Sequence, residues 1–254
     1  AEPTADMTWT EETGTWTNDE TRDVRVMFYK NGGTGAAPTN LNNLWYIDTA
    51  TLNFASALAP SSDLALQGIL DLNIVDDGYG VNGSQGKAIH VLATADIADL
   101  SIYGIGVANN GGGTDGEEYN FESTASATAG DNILVVRSVE AMNAYMDAST
   151  IFDQVILGSS SISQNGNDAI ELYLNGTIVE VFGDADVNPD TFGAGCGDDV
   201  NCWDYEDSWA YKTGGTWTYG GVNCSDGTAT TWDSTCVYPL AIGQEPVTFT
   251  PPTW

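Results

Sequence analysis

Short stretches of alternating apolar and polar residues recur along the chain, separated by turns rich in Gly, Asn and Asp. This period of two is typical of β-strands, and closely spaced turn signals are typical of sandwiches and barrels. The pattern predicts strands over residues 24–29, 64–72, 88–93, 99–106, 132–137, 169–174, 177–182, 208–212 and 216–219. Helix signals are few, and the spacing of Val139, Met142 and Tyr145 predicts one short helix over 138–145. The chain is therefore predicted to be all-β.

Two local sequences sharpen this prediction. Asn175-Gly176 stands between two strand patterns and supplies the positive φ angles of a type I′ turn, which predicts a hairpin. Residues 203–211 interleave Trp and Tyr with carboxylates, a pattern that predicts a strand burying alternate rings.

The composition is strongly acidic, with 6 Lys and Arg against 36 Asp and Glu in 254 residues and a formal net charge of −30. Such a charge repels the phosphates of nucleic acids and anionic membrane surfaces, so neither is an expected partner. Solubility in salt water explains the charge, and calcium binding is a second explanation because Ca²⁺ requires oxygen ligands. The length fits one large domain with extensions.

Cysteine usage and the ends of the chain indicate an extracellular protein. The first residue is Ala, which predicts that a signal peptide has been removed, and no apolar run approaches the roughly twenty residues of a membrane span. Four cysteines in the last quarter fit an oxidising compartment. Of three possible pairings we favour the local ones, Cys196 with Cys202 and Cys224 with Cys236. Zinc is disfavoured, because there is no Cys-x-x-Cys and the only histidine, His90, is distant.

Calcium is the one candidate ligand, and no other cofactor is expected. Asp184, Asp186, Asn188 and Asp190 place oxygen-bearing side chains at alternate positions, although the glycine and distal glutamate of an EF-hand are missing. A weaker candidate combines Asp198 and Asp199 with Asp204. The alternative for both is that these are solvated turn residues whose side chains bond to the backbone.

Catalytic signatures are lacking, so we expect no enzyme activity. There is no Gly-x-Ser-x-Gly, and the single His90 has no matched nucleophile and is expected to be a hydrogen-bonded structural residue. The glycine-rich run at 111–116 precedes Glu117 and Glu118, which repel phosphate, so it is predicted to be a turn. Asn82, Asn175 and Asn223 match the N-glycosylation pattern, which matters only in a eukaryotic source.

Several ordered blocks resemble the lamin-tail domain family of secreted microbial and algal proteins. They begin with Gly86-Lys-Ala-Ile-His-Val-Leu and continue with Asp96-Ile-Ala-Asp-Leu-Ser-Ile-Tyr-Gly-Ile-Gly, Asn109-Asn-Gly-Gly-Gly-Thr-Asp-Gly-Glu-Glu-Tyr-Asn-Phe, Ala129-Gly-Asp-Asn-Ile-Leu-Val-Val, Asn165-Gly-Asn-Asp-Ala-Ile-Glu-Leu-Tyr, Val181-Phe-Gly-Asp and residues 203–211. The resemblance spans roughly residues 63–239 and implies an immunoglobulin-like β-sandwich. One departure is His90, where members usually carry an acid.

The rest of the chain forms two extensions in this scheme: an N-terminal β-rich arm over 1–62 and a C-terminal extension over 241–254, flanking a sandwich over 63–240. Apolar residues of both are candidates for assembly: Trp9, Trp16, Val24, Val26, Phe28, Val247, Phe249 and Trp254. Three of the six basic residues, Arg22, Arg25 and Lys30, lie in the first arm, where they can pair with an acidic body.

These observations predict a secreted, non-catalytic structural or adhesive module. It is expected to assemble with itself or with an extracellular surface component, and β-strand addition by the arms would produce an oligomer or a filament. Two alternatives stay open. The chain is an accessory domain of an extracellular hydrolase of the nuclease or phosphoesterase type, or it is a carbohydrate-binding module that uses exposed Trp and Tyr.

Overall fold

The computed structural model describes residues 62–74, 83–192 and 203–244. Within these ranges the dominant elements are strands, accompanied by two helices, α1 (Val139–Met146) and α2 (Ala148–Ile151). The strands are β1 (Leu64–Leu72), β2 (Gly86–Ala93), β3 (Tyr103–Ala108), β4 (Tyr119–Asn120), β5 (Asn132–Val136), β6 (Gln154–Leu157), β7 (Ala169–Leu174), β8 (Thr177–Phe182), β9 (Ser208–Thr213) and β10 (Thr216–Tyr219).

The strands form two sheets, one of six strands in the order β10-β9-β1-β2-β5-β6 and one of four in the order β4-β3-β7-β8. Neighbours are antiparallel except β5 and β6, which are parallel and connected through α1 and α2. A parallel pair needs such a crossover because its strands run in the same direction. The prediction of an all-β sandwich is confirmed.

The main core lies between the two sheets and is built from the inward faces of both. The six-stranded sheet contributes Leu66, Ile89 and Val135, and the four-stranded sheet contributes Ile105 and Leu172, all with at most 1% of their surface exposed. Burial of this apolar surface is the main source of stability for such a sandwich.

A second core covers the opposite face of the six-stranded sheet. Leu70 and Leu134 of the sheet pack there with Met142 of α1 and with Tyr238, so the central strands β1, β2 and β5 are buried on both faces. The covering segment is fastened by the disulfide between Cys224 and Cys236, whose Cα atoms are 5.8 Å apart. This predicted pair is confirmed, whereas Cys196 and Cys202 lie outside the described residues.

Two hairpins have the tight turns expected for strands of native twist. Asn175 and Gly176 have φ angles of 50° and 74°, and Leu174 pairs with Thr177 directly across the turn, so the predicted type I′ hairpin is confirmed. Gly214 and Gly215 likewise have φ angles of 57° and 85° between β9 and β10.

Three local predictions differ from the structure. The strand predicted over 99–106 begins instead with a 3-10 turn, Leu100–Ile102, because the Asp99 side chain accepts a hydrogen bond from the Ser101 backbone N–H and caps that turn. Residues 203–207 bury the rings of Trp203 and Tyr205 but are not a strand, since β9 begins only at Ser208. The helix begins at Val139, with the Ser138 side chain accepting from the Ala141 N–H as its N-cap.

A β-bulge in β1 decides which side chains reach the end of the sandwich. Leu66 pairs with Val91 and Gly68 with His90, so Gln67 is an extra residue in β1. The residues that follow change faces, and Asp71 comes to lie opposite Lys87 of β2 on the inward side. Among the described residues, no helix is long and apolar enough to cross a membrane.

Candidate functional site

A cavity of about 460 Å³ opens at the end of the sandwich where Asp71 and Lys87 lie. Strands β1 and β2, the loop before β7 and the loop before β9 all reach it. Its lining residues are Asp71, Asn73, Ser84, Lys87, Asn165, Gly166, Asn167, Asp190, Glu206 and Asp207. Four of them are acids and one is basic, so the cavity suits a polar or positively charged ligand.

Lys87 is the centre of this site and is almost fully buried, with 8% of its surface exposed. Its Nζ donates to Asp71 Oδ1 at 2.6 Å, to the Gln164 carbonyl oxygen at 2.6 Å and to Asn165 Oδ1 at 3.0 Å. These three acceptors match the three N–H bonds of an ammonium group, as a buried charge requires. The Lys87 side chain is thereby held in one position.

The carboxylates around Lys87 are perturbed mainly by burial. Burial raises the pKa of Asp71, although the Lys87 charge and hydrogen bond act in the opposite direction. Burial and then the negative charge of Asp226 raise the pKa of Asp207 to about 6. Burial and then Asp204 also raise the pKa of Glu206. Asp71, Glu206 and Asp207 therefore bind protons more readily here than free carboxylates do.

The loop 165–168 is fixed by its own hydrogen bonds and by contact with the loop before β9. Asp168 accepts from the N–H groups of Asn165 at 2.7 Å and Asn110 at 2.8 Å. The Gly166 carbonyl accepts from the Tyr205 N–H at 2.9 Å. A side chain on Gly166 would place its Cβ 2.0 Å from the Glu206 Cα, so only glycine fits this approach. Asn165 is thus presented to Lys87 by a rigid loop.

The predicted calcium residues occupy the turns that follow β8. Asp184 Oδ1 accepts from the Asp186 N–H at 3.0 Å, and Asn188 Oδ1 accepts from the Asp190 N–H at 2.9 Å. Asp190 Oδ2 also accepts from Asn167 Nδ2 at 2.6 Å. These are the side-chain-to-backbone bonds of the turn alternative.

No cluster of three or more His, Cys, Asp or Glu side chains suited to a metal occurs in the described part of the chain. Asp190 lines the cavity, whereas Asp198 and Asp199 lie outside the described residues. Calcium binding therefore stays a prediction.

His90 lies away from the cavity, in the second core, and is fully buried. Its Nδ1 is 3.0 Å from the Tyr238 hydroxyl and its Nε2 is 3.0 Å from Asn132 Oδ1. Burial lowers the pKa of His90 to about 3, so the ring is neutral. His90 is a hydrogen-bonded core residue, as predicted.

The other predicted residues are dispersed. Asn175 and Asn223 are exposed in turns, whereas Asn82 lies outside the described residues. All the assembly residues of the arms also lie outside the described residues: Trp9, Trp16, Val24, Val26, Phe28, Val247, Phe249 and Trp254.

The group formed by the buried Lys87 and Asp71 with the exposed Asn165 was missed by sequence reasoning. One signal was available, because Lys87 is one of only six basic residues and stands in a strand whose other residues, apart from His90, are apolar. Its two partners are distant in sequence, so the group itself could not be read from spacing.

Comparison with known proteins adds no relative to this picture. No protein-family model matches the chain, and a search of curated proteins gives no significant match. The lamin-tail resemblance therefore stays a prediction that depends on its sequence blocks.

Proposed function

We propose that this chain is a secreted, non-catalytic structural or adhesive module that assembles through strand addition at the edges of its six-stranded sheet. The partner is a second copy of the chain or an extracellular surface component. The confirmed disulfide is compatible with an extracellular location.

The observation that carries this proposal is the absence of charge from both edge strands of that sheet. Strand β6 reads Gln-Val-Ile-Leu and β10 reads Thr-Trp-Thr-Tyr, in a protein with 36 acidic residues. Edge strands are normally protected by charged side chains or proline, because their free N–H and C=O groups pair with other chains. Within the described residues, no strand pairs with the outer edge of either one.

The hydrogen-bonding groups of β10 can be assigned from its register. In a two-residue hairpin the flanking pair, here Thr213 and Thr216, shares ladder hydrogen bonds, and every second residue after it does the same. Gly220 follows this parity, since its N–H donates to the Trp209 carbonyl at 2.9 Å. The backbone groups of Trp217 and Tyr219 therefore face outward and are available to an added strand.

The two edges lie at opposite ends of one sheet, which bears on the type of assembly. Contact between different surfaces of successive copies is head-to-tail and gives an open filament unless the rotation closes. The arms provide strand-like sequences for such contacts. The basic residues Arg22, Arg25 and Lys30 would also offset repulsion between bodies of charge −30.

The test compares the full chain with a deletion of residues 1–62 and with an edge variant, by light scattering and electron microscopy in salt and calcium. Tyr219→Pro removes an outward N–H without breaking a bond to β9, and Tyr219→Thr is its matched control, because it removes the same ring and keeps the N–H.

We expect the full chain and Tyr219→Thr to form large particles, and the deletion and Tyr219→Pro to give smaller ones. A strictly monomeric full chain, unchanged by any of these variants, would contradict assembly and favour the accessory-domain alternative.

A further inference from the structure

We propose that Lys87 and Asn165 become joined by an intramolecular isopeptide bond between Lys87 Nζ and Asn165 Cγ, with Asp71 as the proton acceptor. The proposal is independent of the assembly proposed above, because it concerns a site within one copy of the sandwich.

Geometry places the two reacting groups in contact. Lys87 Nζ lies 3.0 Å from Asn165 Oδ1, the oxygen attached to the carbon that would be attacked. The reacting atoms are Nζ and Cγ, and a rotation of the amide that turns Cγ towards Nζ would bring them to the roughly 3 to 3.5 Å of a reactive geometry. The rigid loop around Gly166 and the three hydrogen bonds of Nζ keep both groups there.

An amine attacks only in its neutral form, so a neighbouring base must remove a proton from the ammonium group. Asp71 Oδ1 is 2.6 Å from Nζ and is positioned to accept this proton. Burial of Asp71 favours its protonated form, which makes the transfer easier than it would be in water. The neutral pair also relieves the site of two buried charges.

The chemical balance of the reaction is complete without another reactant. Nζ gives one proton to Asp71 and attacks Cγ of Asn165, and the bond between Cγ and Nδ2 breaks. The leaving nitrogen takes the second proton from Nζ and departs as ammonia. Lys87 and Asn165 end as a neutral secondary amide and Asp71 as a carboxylic acid, with no oxidation or reduction. Asn165 is exposed, which gives the ammonia a path to solvent.

The bond would join the two sheets of the sandwich covalently. Lys87 lies in β2 of the six-stranded sheet, and Asn165 lies in the loop that leads directly into β7 of the four-stranded sheet. A covalent bond between sheets resists their separation under force, which is useful in a protein that bears load.

Mass spectrometry of the purified full chain tests the proposal. We expect an intact mass lower than the disulfide-bonded sequence mass by one ammonia. Digestion should give a branched peptide that contains both Lys87 and Asn165. Asn165→Ala should restore the sequence mass, and Asn165→Asp should lose water in place of ammonia.

Two further variants separate chemistry from folding. Asp71→Asn should leave Lys87 and Asn165 unjoined in a chain with the circular dichroism of the original. Asn167→Ala is the control, because Asn167 lines the same cavity without a hydrogen bond to Lys87, and it should still lose ammonia.

A folded protein with the full sequence mass would overturn the proposal. So would an ammonia loss that maps to a succinimide within the Asn165-Gly166 peptide, since that product leaves the Lys87 amine free.

Discussion

Replacement of His90 by glutamine is expected to remove a component of acid sensitivity from the fold. His90 is fully buried between the Tyr238 hydroxyl and Asn132, and its pKa is lowered to about 3 by burial. In the unfolded chain the same ring titrates near 6.5. Between these values the unfolded state binds a proton that the folded state excludes.

The effect of His90 on the free energy of unfolding follows from this difference in proton binding. His90 imposes no penalty above about pH 6.5, and stability is lost as pH falls from there towards about 3. A shift of one pH unit corresponds to about 1.4 kcal/mol, so the free energy of unfolding should fall by about 3 kcal/mol at about pH 4.5 from this residue alone. Acids with a raised pKa, such as Asp207, act in the opposite direction and stabilise the fold over part of the same range.

Urea unfolding followed by tryptophan fluorescence measures this effect at constant ionic strength between about pH 7.5 and pH 4.5. The original chain and His90→Gln share every carboxylate, so the difference between their unfolding free energies isolates the histidine. That difference should shift by about 1.4 kcal/mol per pH unit below about 6.5. Phe152→Leu is the control, because the Phe152 ring packs against His90, with 5.0 Å between the ring centroids, and does not titrate. Parallel pH curves for the original chain and His90→Gln would refute the reasoning.

Three other perturbations have defined outcomes. Asp226→Asn should lower the pKa of Asp207 from about 6, because it removes the main neighbouring charge while burial remains, and carbon NMR titration would detect an unchanged value if another cause dominates. Joint replacement of Cys224 and Cys236 by serine should lower the free energy of unfolding by about 2–3 kcal/mol, measured in urea against the oxidised original chain with the reduced chain as control, and equal values for oxidised and reduced chains would contradict this. Calcium should raise the melting temperature relative to chelator at matched ionic strength. The gain in the free energy of unfolding is about 2.7 kcal/mol at a free calcium concentration one hundred times the dissociation constant. Equal melting temperatures would leave charge screening as the whole effect.

The sequence predicts strands well wherever a period of two or a turn dipeptide defines them. The hairpin at Asn175-Gly176 is the clearest case, because the positive φ angles that it requires are supplied by these two residues themselves. Strand β6 was not predicted, since four residues carry little periodicity and its parallel pairing with β5 depends on the crossover through α1 and α2. The tertiary arrangement specifies β6, and no local signal reports that arrangement.

The candidate site was hidden for a different reason, which lies in β1. Strict alternation along β1 would place Leu66, Leu70 and Leu72 on one face of the sheet and Asp71 on the other. The central strands carry apolar residues on both faces, so the sequence pattern does not reveal that this alternation is broken. The bulge at Gln67 divides these leucines between two cores. It turns Asp71 inward against Lys87, where an unpaired charge would be costly to bury. The bulge takes up the extra residue Gln67, and the residues after it thereby place Leu70 and Leu72 in the second core and Asp71 beside Lys87. Deletion of Gln67 should restore regular pairing of Leu66 and Gly68 with Val91 and His90 while Asp71 stays opposite Lys87, so molecules that fold should still lose ammonia.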